Sequence, residues 1–563
     1  MTVRQIQGGY GTVVEVLRAA AQVNGDVEAY VEPATRDRPR QALTFAGWDR
    51  AADGVAGLLA AAGVGRGDVV CLVLPSSIAY AVCYAAALRL GAITSGINVR
   101  LGAAEARSIA ERTRPAVTVV DDGLDVPGGP VGTVLRRSEV TASYGGPPPA
   151  SFPELDPADP VAVVWTSGTT GLPKGAVFDH TRLAAVAAGT DVLSAPGDRR
   201  LSPLPFAHVG FMTRPWDEIA HGVTTVLTPT PWRAADALAI LEAERITVAQ
   251  GVPTQWALML AHPDLERTDT SSLRVAGTGA SRVPPELVAA IRERLGVPVI
   301  VRYTSTEASL GTGTVPGDPD EAVATTVGRP VPGVELSLRD DDGRPVAAGE
   351  VGRVHLRSAA VMRGYWGGPP TGPGDGGLVL DEAATSAVLA PDGWLTTGDF
   401  GRLDGAGNLR LVGRANELYI RGGYNVYPAE VEPVVTGHPA VAEAAVVGVP
   451  DPVLGEIGVA FVVLGPDAGE STGTGAGRDL DALLAEVRAA VGQALADYKA
   501  PDRLVVVDAL PLTSMMKVDK RALADRWQAG AGDRGAEGPG GTGDRAGGTD
   551  GQMQAAETAR SRA

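Results

Sequence analysis

The stretch Trp165 to Gly175 reads W-T-S-G-T-T-G-L-P-K-G and directly follows the apolar run Val161-Ala162-Val163-Val164. An apolar run of this length that ends in glycines and hydroxyls predicts a buried strand opening into a loop. Glycines there let backbone N–H groups come close to a phosphate, while the hydroxyls and Lys174 add donors around it. The Walker A spacing G-x-x-x-x-G-K-[ST] is absent, and Pro173 precedes the lysine. A plain Gly/Ser/Thr linker is the competing reading; the buried-strand pattern and the Pro-Lys-Gly ending weigh against it.

The chain has 563 residues, too many for one ordinary core, so two or more domains are expected. A hydrophobic content of 44% and a charged content of 20% fit a soluble globular protein. A net charge of −17 argues against nucleic acid or an anionic membrane surface as partner. It leaves room for ATP, which needs only a local donor-rich pocket. Cys71 and Cys83 lie in apolar stretches and are expected to be buried thiols in a reducing compartment, with one disulfide possible. The opening residues M-T-V-R-Q-I-Q-G-G-Y contain no apolar core of a signal peptide, so a cytoplasmic location is expected. The most apolar region, Val69 to Ile93, is interrupted by Pro75, Ser76, Ser77 and Arg89. It predicts a buried strand and then a helix, not a membrane span.

Up to about residue 150, helical and strand patterns alternate: a helix over Ala51–Ala62, a strand over Val69–Leu74, a helix over Ala79–Leu90, a strand over Ala116–Val120. Such alternation implies a parallel sheet covered by helices on both faces. The pattern repeats over 224–310, where Leu273-Arg-Val-Ala leads into Gly277-Thr-Gly-Ala-Ser281 and Val299-Ile-Val-Arg-Tyr303 into Thr304-Ser-Thr-Glu307. Two strands that each end in a small-residue or hydroxyl loop predict a ligand crevice at their carboxyl ends. Residues 325–363 read as short strands joined by glycine turns, and 367–377 as a mobile surface loop. Strands around Gly448, a helix over Asp479–Asp497 and a strand over Leu504–Val507 follow. From 528 to 563 the Gly/Ala/Asp/Arg-rich composition predicts a disordered tail.

T-S-G-T-T-G-x-P-K-G resembles the phosphate-binding signature of the adenylate-forming superfamily, which includes acyl-CoA synthetases, luciferases and peptide-synthetase adenylation domains. Six motifs stand in superfamily order across roughly residues 160–520. The resemblance implies an α/β fold: a large N-terminal domain over 1–414, built of parallel and mixed sheets covered by helices, and a small mobile α+β domain over 415–527. It implies that Thr166, Ser167, Gly168, Thr169, Thr170, Gly171 and Lys174 surround the phosphates. Gly279, Ala280 and Ser281 would border the adenine and Tyr303 would cover its face. Thr304 stands where glycine is common, Thr306 would contact phosphate, and Glu307 with Thr166 would hold Mg²⁺. Asp399 would accept the ribose hydroxyls, and Arg414 would contact ribose and phosphate. Gly422 and Gly423 would face the acceptor thiol, and Asn416 stands at the hinge, where Asp or Lys is usual.

Several of these positions have plain structural readings as well. T-S-T-E fits a helix N-cap with a first-turn glutamate, Asp399 fits a turn aspartate, and His208 in Pro203-Leu-Pro-Phe-Ala-His-Val-Gly210 fits a core histidine. In the resemblance His208 lines the acyl pocket beside Phe206, Val209 and Phe211, and Val252, Gln255, Trp256 and Gly311 are further pocket positions. Ala207-His208-Val209-Gly210 contains no acid to hold a substrate ammonium, which favours an uncharged acyl or aryl tail; Asp217 lies further along. Pro511-Leu-Thr-Ser-Met-Met-Lys517 resembles the terminal P-x-T-x-x-G-K motif. Lys517 then matches the catalytic lysine, with Met516 in place of glycine, and Lys520 is out of register.

The implied reaction joins a carboxylic acid to the α-phosphate of ATP and then to coenzyme A. A carrier-protein thiol as acceptor and a non-catalytic ATP- or acyl-AMP-binding homologue are the alternatives.

Overall fold

The computed structural model describes residues 3–36, 38–166, 173–280, 283–369, 378–422, 424–465, 480–513 and 517–534. Two mostly parallel sheets form the bulk of the N-terminal part. The first has the strand order Thr133–Arg136, Val117–Val120, Val69–Val73, Ile93–Gly96, Pro160–Trp165, Gly175–Asp179. All its neighbours are parallel except the last pair, which flanks the opening stretch. The second sheet runs Arg329–Pro330, Thr312–Gly313, Val299–Tyr303, Val275–Gly279, Val248–Gly251, Arg199–Ser202, Thr224–Leu227, Glu28–Glu32, Gln41–Thr44. Strand Glu28–Glu32 pairs antiparallel with the next strand in sequence, Gln41–Thr44, on one side and parallel with the distant Thr224–Leu227 on the other.

The helix Ile78–Arg89 touches strands of both sheets, and every one of its residues is buried. A helix apolar all round belongs in a core. Its 12 residues at ~1.5 Å each span about 18 Å, well short of a hydrocarbon layer of ~30 Å. Among the described residues no helix is long and apolar enough to cross a membrane. Arg89, 1% exposed, is tolerated there because Asp49 and Asp53 pair with it. Cys71 and Cys83 are free and buried, so the possible disulfide is not formed.

An antiparallel sheet, Glu335–Arg339, Gly352–Arg357, Leu395–Leu403, Leu409–Arg414, follows. After it comes a separate sheet in the order Tyr424–Val426, Tyr419–Arg421, Gly455–Leu464, Val441–Asp451, with Arg503–Val506 parallel to Gly455–Leu464. Helices Pro428–Thr436 and Leu480–Ala494 bury Val431, Val435, Leu483, Val487 and Val491 against it, giving this region a core of its own. A second cluster holds Leu523, with Trp527 packed beside it, on the helix Lys520–Arg534. These two residues are one helical turn apart, and the helix they anchor carries 528–534 beyond the start of the expected tail. The stretches 370–377 and 535–563, on which the surface loop and the rest of the tail were expected, lie outside the described residues, as does 466–479.

Candidate active site

Strand Pro160–Trp165 ends at Thr166, and the chain returns at Pro173 into strand Gly175–Asp179. The two ends are tied twice: Thr166 N donates to Lys174 O at 2.9 Å, and Lys174 N donates to Thr166 Oγ1 at 3.2 Å. The two strands that flank the stretch are paired antiparallel, which a plain linker between domains would not give. Ser167, Gly168, Thr169, Thr170 and Gly171 lie outside the described residues, as do Ser281, Gly423 and Met516.

Gly279 ends strand Val275–Gly279 and Tyr303 ends the neighbouring parallel strand Val299–Tyr303. Gly279 has φ +156°, and a Cβ there would lie 2.3 Å from Arg302 O, so no other residue fits. Ala280 follows at φ +66°, in the left-handed region that a non-glycine residue adopts at a cost. The strand end is thus turned sharply. Gly311 is equally constrained, since a Cβ on it would lie 2.3 Å from Tyr303 O.

Thr304 is exposed and donates to Ser305 O at 3.2 Å. Thr306–Ala308 form a turn, with Ala308 N donating to Ser305 Oγ at 3.2 Å and Ser309 N to Ser305 O at 3.0 Å, and no helix follows it, so the helix-cap reading of T-S-T-E falls. A turn places the glutamate without committing it to a helix face. Glu307 O accepts from Met362 N at 2.8 Å, and its Oε1 accepts from the Tyr365 hydroxyl at 2.8 Å. Lys174 Nζ lies 5.1 Å from the centre of the Tyr365 ring.

Asp399 sits inside strand Leu395–Leu403, which excludes the turn reading. It pairs across the sheet with Arg414, and Arg414 Nε lies 2.9 Å from Asp399 Oδ1. The Tyr303 hydroxyl donates to Asp399 Oδ2 at 2.7 Å. Burial and the adjacent carboxylate push the Tyr303 phenol far above its usual range, so it remains a donor. Arg414 is raised despite its burial, because Asp399 and Glu417 favour its charge.

Lys517 comes back to this place from the C-terminal region. Leu512 and Val518 bridge, and Thr513 N donates to Lys517 O at 2.7 Å. Burial and the Arg414 charge lower the lysine, while Asp399 opposes them. Its charge also acts on His208, whose pKa falls to about 4 through burial first and Lys517 second. The imidazole is therefore neutral at pH 7, and Asn98 Nδ2 donates to its Nε2 at 3.1 Å. Lys520 points elsewhere, held by Glu417 at 2.6 Å and Glu432 at 2.9 Å.

The expected pocket neighbours divide. Phe206 and Phe211 stack with ring centres 3.5 Å apart and are 1% and 3% exposed, within an aromatic cluster with Tyr30, Tyr80 and Tyr84. They support His208 from the core, and Val209 is only partly buried. Gln255 caps its own helix, accepting from Val252 N at 3.0 Å, and Trp256 Nε1 donates to Gly277 O at 3.0 Å. Asp217 is fully buried and engaged by Arg214 at 2.6 Å, Thr190 at 2.7 Å and Ser194 at 2.8 Å, so no free acid remains there for a substrate ammonium. Gly422 has φ +56° and donates to Leu454 O at 2.8 Å.

Thr166, Lys174 and Glu307 form one group, joined by Tyr365; Tyr303, Asp399, Arg414, Lys517 and His208 form another. The sequence did not single out Tyr365 or Asn98. Asn98 follows the end of strand Ile93–Gly96, the kind of position where ligand-facing residues gather. Among the described residues no group of three or more His, Cys, Asp or Glu could hold a metal ion by itself. A single carboxylate suits Mg²⁺, which keeps waters and binds one or two carboxylates together with substrate phosphates.

A family model described as AMP-binding enzyme matches residues 17–366, and one described as AMP-binding enzyme C-terminal domain matches 430–517. The medium/long-chain-fatty-acid–CoA ligase FadD8 of Mycobacterium tuberculosis is 36% identical over 414 residues, covering 72% of this chain and 68% of its own length. A feruloyl-CoA synthase of an Amycolatopsis species is 33% identical over 497 residues, with 86% and 94% covered. The solved structure of the anthranilate CoA ligase AuaEII with anthranoyl-AMP superposes with a TM-score of 0.78 at 27% identity, over 94% of this chain and 99% of that one.

Proposed function

The chain belongs to the AMP-binding enzyme family and is an AMP-forming acid–thiol ligase, and from this premise we propose that it activates a hydrophobic carboxylic acid, fatty or aryl, with coenzyme A as acceptor. The observation that carries the reading is the Tyr303–Asp399–Arg414 brace together with the Glu307–Tyr365–Lys174 group at the strand ends, with the Lys517 charge acting on Asp399, Arg414 and His208. A cation from the C-terminal region then stands where two anions, the acid and ATP, have to meet.

The acid attacks the α-phosphate of ATP, giving acyl-AMP and pyrophosphate; the coenzyme A thiol then attacks the acyl carbon and releases AMP. Anion repulsion is the obstacle in the first step. Lys517 offsets it at the reacting oxygens, Lys174 and Thr166 hold the phosphates, and Asp399 with Arg414 fixes the ribose. Glu307 and Thr166 would hold Mg²⁺, which would supply further positive charge against the phosphates. No side chain becomes covalently attached. His208, neutral and braced by Asn98, borders the acid without adding charge. The engagement of Asp217 by Arg214, Thr190 and Ser194 favours an uncharged tail. For the thiol to enter, the region carrying Lys517 moves away as a unit, over about residues 415–527. FadD8 and the feruloyl-CoA synthase, by their names, act on fatty and aryl acids, which supports this class of acid.

The test is a panel of fatty and aryl acids with ATP, Mg²⁺ and coenzyme A, read as acyl-CoA and AMP formed in equal amounts. Amino acids serving as well as aryl or fatty acids would refute the tail assignment.

A further inference from the structure

Tyr365 stands between the two charged groups of the phosphate site and touches both. Its hydroxyl donates to Glu307 Oε1 at 2.8 Å, and its ring carries the Lys174 ammonium 5.1 Å from the centroid. The residue is 5% exposed and its backbone is fixed on both sides. Tyr365 N donates to Thr385 Oγ1 at 2.9 Å, its carbonyl accepts from Asp381 N at 2.8 Å, and it bridges to Ala176 in the strand that follows Lys174. The next residue extends the brace to the other side of the loop: Trp366 Nε1 donates to Arg112 O at 3.0 Å. Arg112 in turn donates to the Pro173 carbonyl and lies 5.5 Å from the Trp165 ring centre. Two consecutive residues thereby hold both ends of the Thr166–Lys174 loop in one frame with Glu307.

A hydrogen bond to one oxygen of a ligating carboxylate fixes its orientation and leaves the other oxygen for the ion. A ring face beside an ammonium holds it without neutralising it, so the charge stays available to phosphate. We propose that Tyr365 is the positioning residue of this site: its hydroxyl sets Glu307 for Mg²⁺ and its ring sets Lys174 for the phosphates. The proposal rests on the roles given above to Glu307 and Lys174. The hydroxyl and the ring act on different partners, so they are separable by substitution.

The experiment uses the full chain and three variants, Tyr365→Phe, Tyr365→Leu and Glu307→Gln. ATP binding is measured by calorimetry with and without Mg²⁺, and the Mg²⁺ concentration for half-maximal ATP–pyrophosphate exchange is measured alongside. Tyr365→Phe keeps the ring and the backbone bonds. It is expected to raise the Mg²⁺ requirement about tenfold, the scale of a lost hydrogen bond to a charged group, with metal-free ATP affinity unchanged. Tyr365→Leu is expected to weaken metal-free ATP binding as well, by about threefold. If Tyr365→Phe leaves the Mg²⁺ requirement at the native value while Glu307→Gln raises it, the inference is overturned and the role of Glu307 stands. If neither variant changes it, both fall. A drop in metal-free ATP binding in Tyr365→Phe equal to that in Tyr365→Leu would show a merely structural tyrosine and also overturn the inference; the thermal midpoints of the variants separate that outcome from unfolding.

Discussion

Asp399 and Arg414 face each other directly across neighbouring antiparallel strands, with Arg414 Nε 2.9 Å from Asp399 Oδ1. The other oxygen accepts from the Tyr303 hydroxyl at 2.7 Å. A carboxylate accepts about four hydrogen bonds, so each oxygen retains capacity for a ribose hydroxyl while the brace stays in place. Asp399→Ala is expected to weaken ATP binding by at least about tenfold. Tyr303→Phe, which removes only one support, is expected to have a smaller effect. Calorimetry on both variants checks the ranking, and equal losses would show that the carboxylate is only a brace.

Lys517 divides the two half-reactions. Lys517→Ala is expected to reduce acyl-AMP formation by about 10²–10³, the scale of losing one positioned charge-stabilising group. Thioester formation from supplied acyl-AMP should persist. Single-turnover assays of each half-reaction check this, and equal loss in both would contradict the role assigned to the lysine. Lys520→Ala is not expected to reproduce the split, because that lysine is committed to Glu417 and Glu432.

Stability should fall on acidification. His180 and His208 are both lowered to about 4, chiefly by burial. An unfolded histidine titrates near ~6.5, so as the pH falls the unfolded chain takes up protons first. The loss runs from about pH 6.5 down to the folded value near 4 and is about 3 kcal/mol per buried histidine when complete. His221, raised by its hydrogen bond to Asp217, works in the opposite direction and offsets part of it. His180 Nδ1 accepts from Val13 N at 3.2 Å, and His180→Gln should flatten the slope of melting temperature against pH between 6.5 and 4.5. An unchanged slope would refute this contribution.

Asp217 should matter for folding rather than substrate choice. Its contacts with Arg214, Arg200 and His221 hold the carboxyl far below the usual range despite full burial. Removing one member of a buried charge network leaves the others uncompensated, at about 3–5 kcal/mol. Asp217→Asn is therefore expected to lower the denaturation midpoint strongly and leave the ranking of acid substrates unchanged. A stable variant with altered acid preference would reverse this assignment.

The two strand ends at Gly279 and Tyr303 were legible because a β run that stops in small or hydroxyl residues has few other uses. The opening stretch was legible for the same reason, and the order of the motifs supplied Lys517. Other features depend on partners distant in the chain. Glu28–Glu32 is a short apolar run whose sequence neighbours give no sign that it will pair with Thr224–Leu227. Thr304-Ser-Thr-Glu307 carries the composition of a helix cap, yet the backbone turns on Ser305 instead. Asp399 looked like a turn residue because Gly398 precedes it; the strand is set by its pairing with Leu409–Arg414. The link between Tyr365 and Glu307 spans 58 residues and leaves no local pattern at all.

We propose that this chain adenylates a hydrophobic acid beside Asp399 and Arg414, with Lys517 supplying the cation. Carboxylate-dependent ATP–pyrophosphate exchange tests it most directly, because exchange requires acyl-AMP formation and no acceptor thiol. The account predicts exchange with at least one fatty or aryl acid, lost in Lys517→Ala. Tight ATP binding with no exchange across the whole acid panel would contradict it.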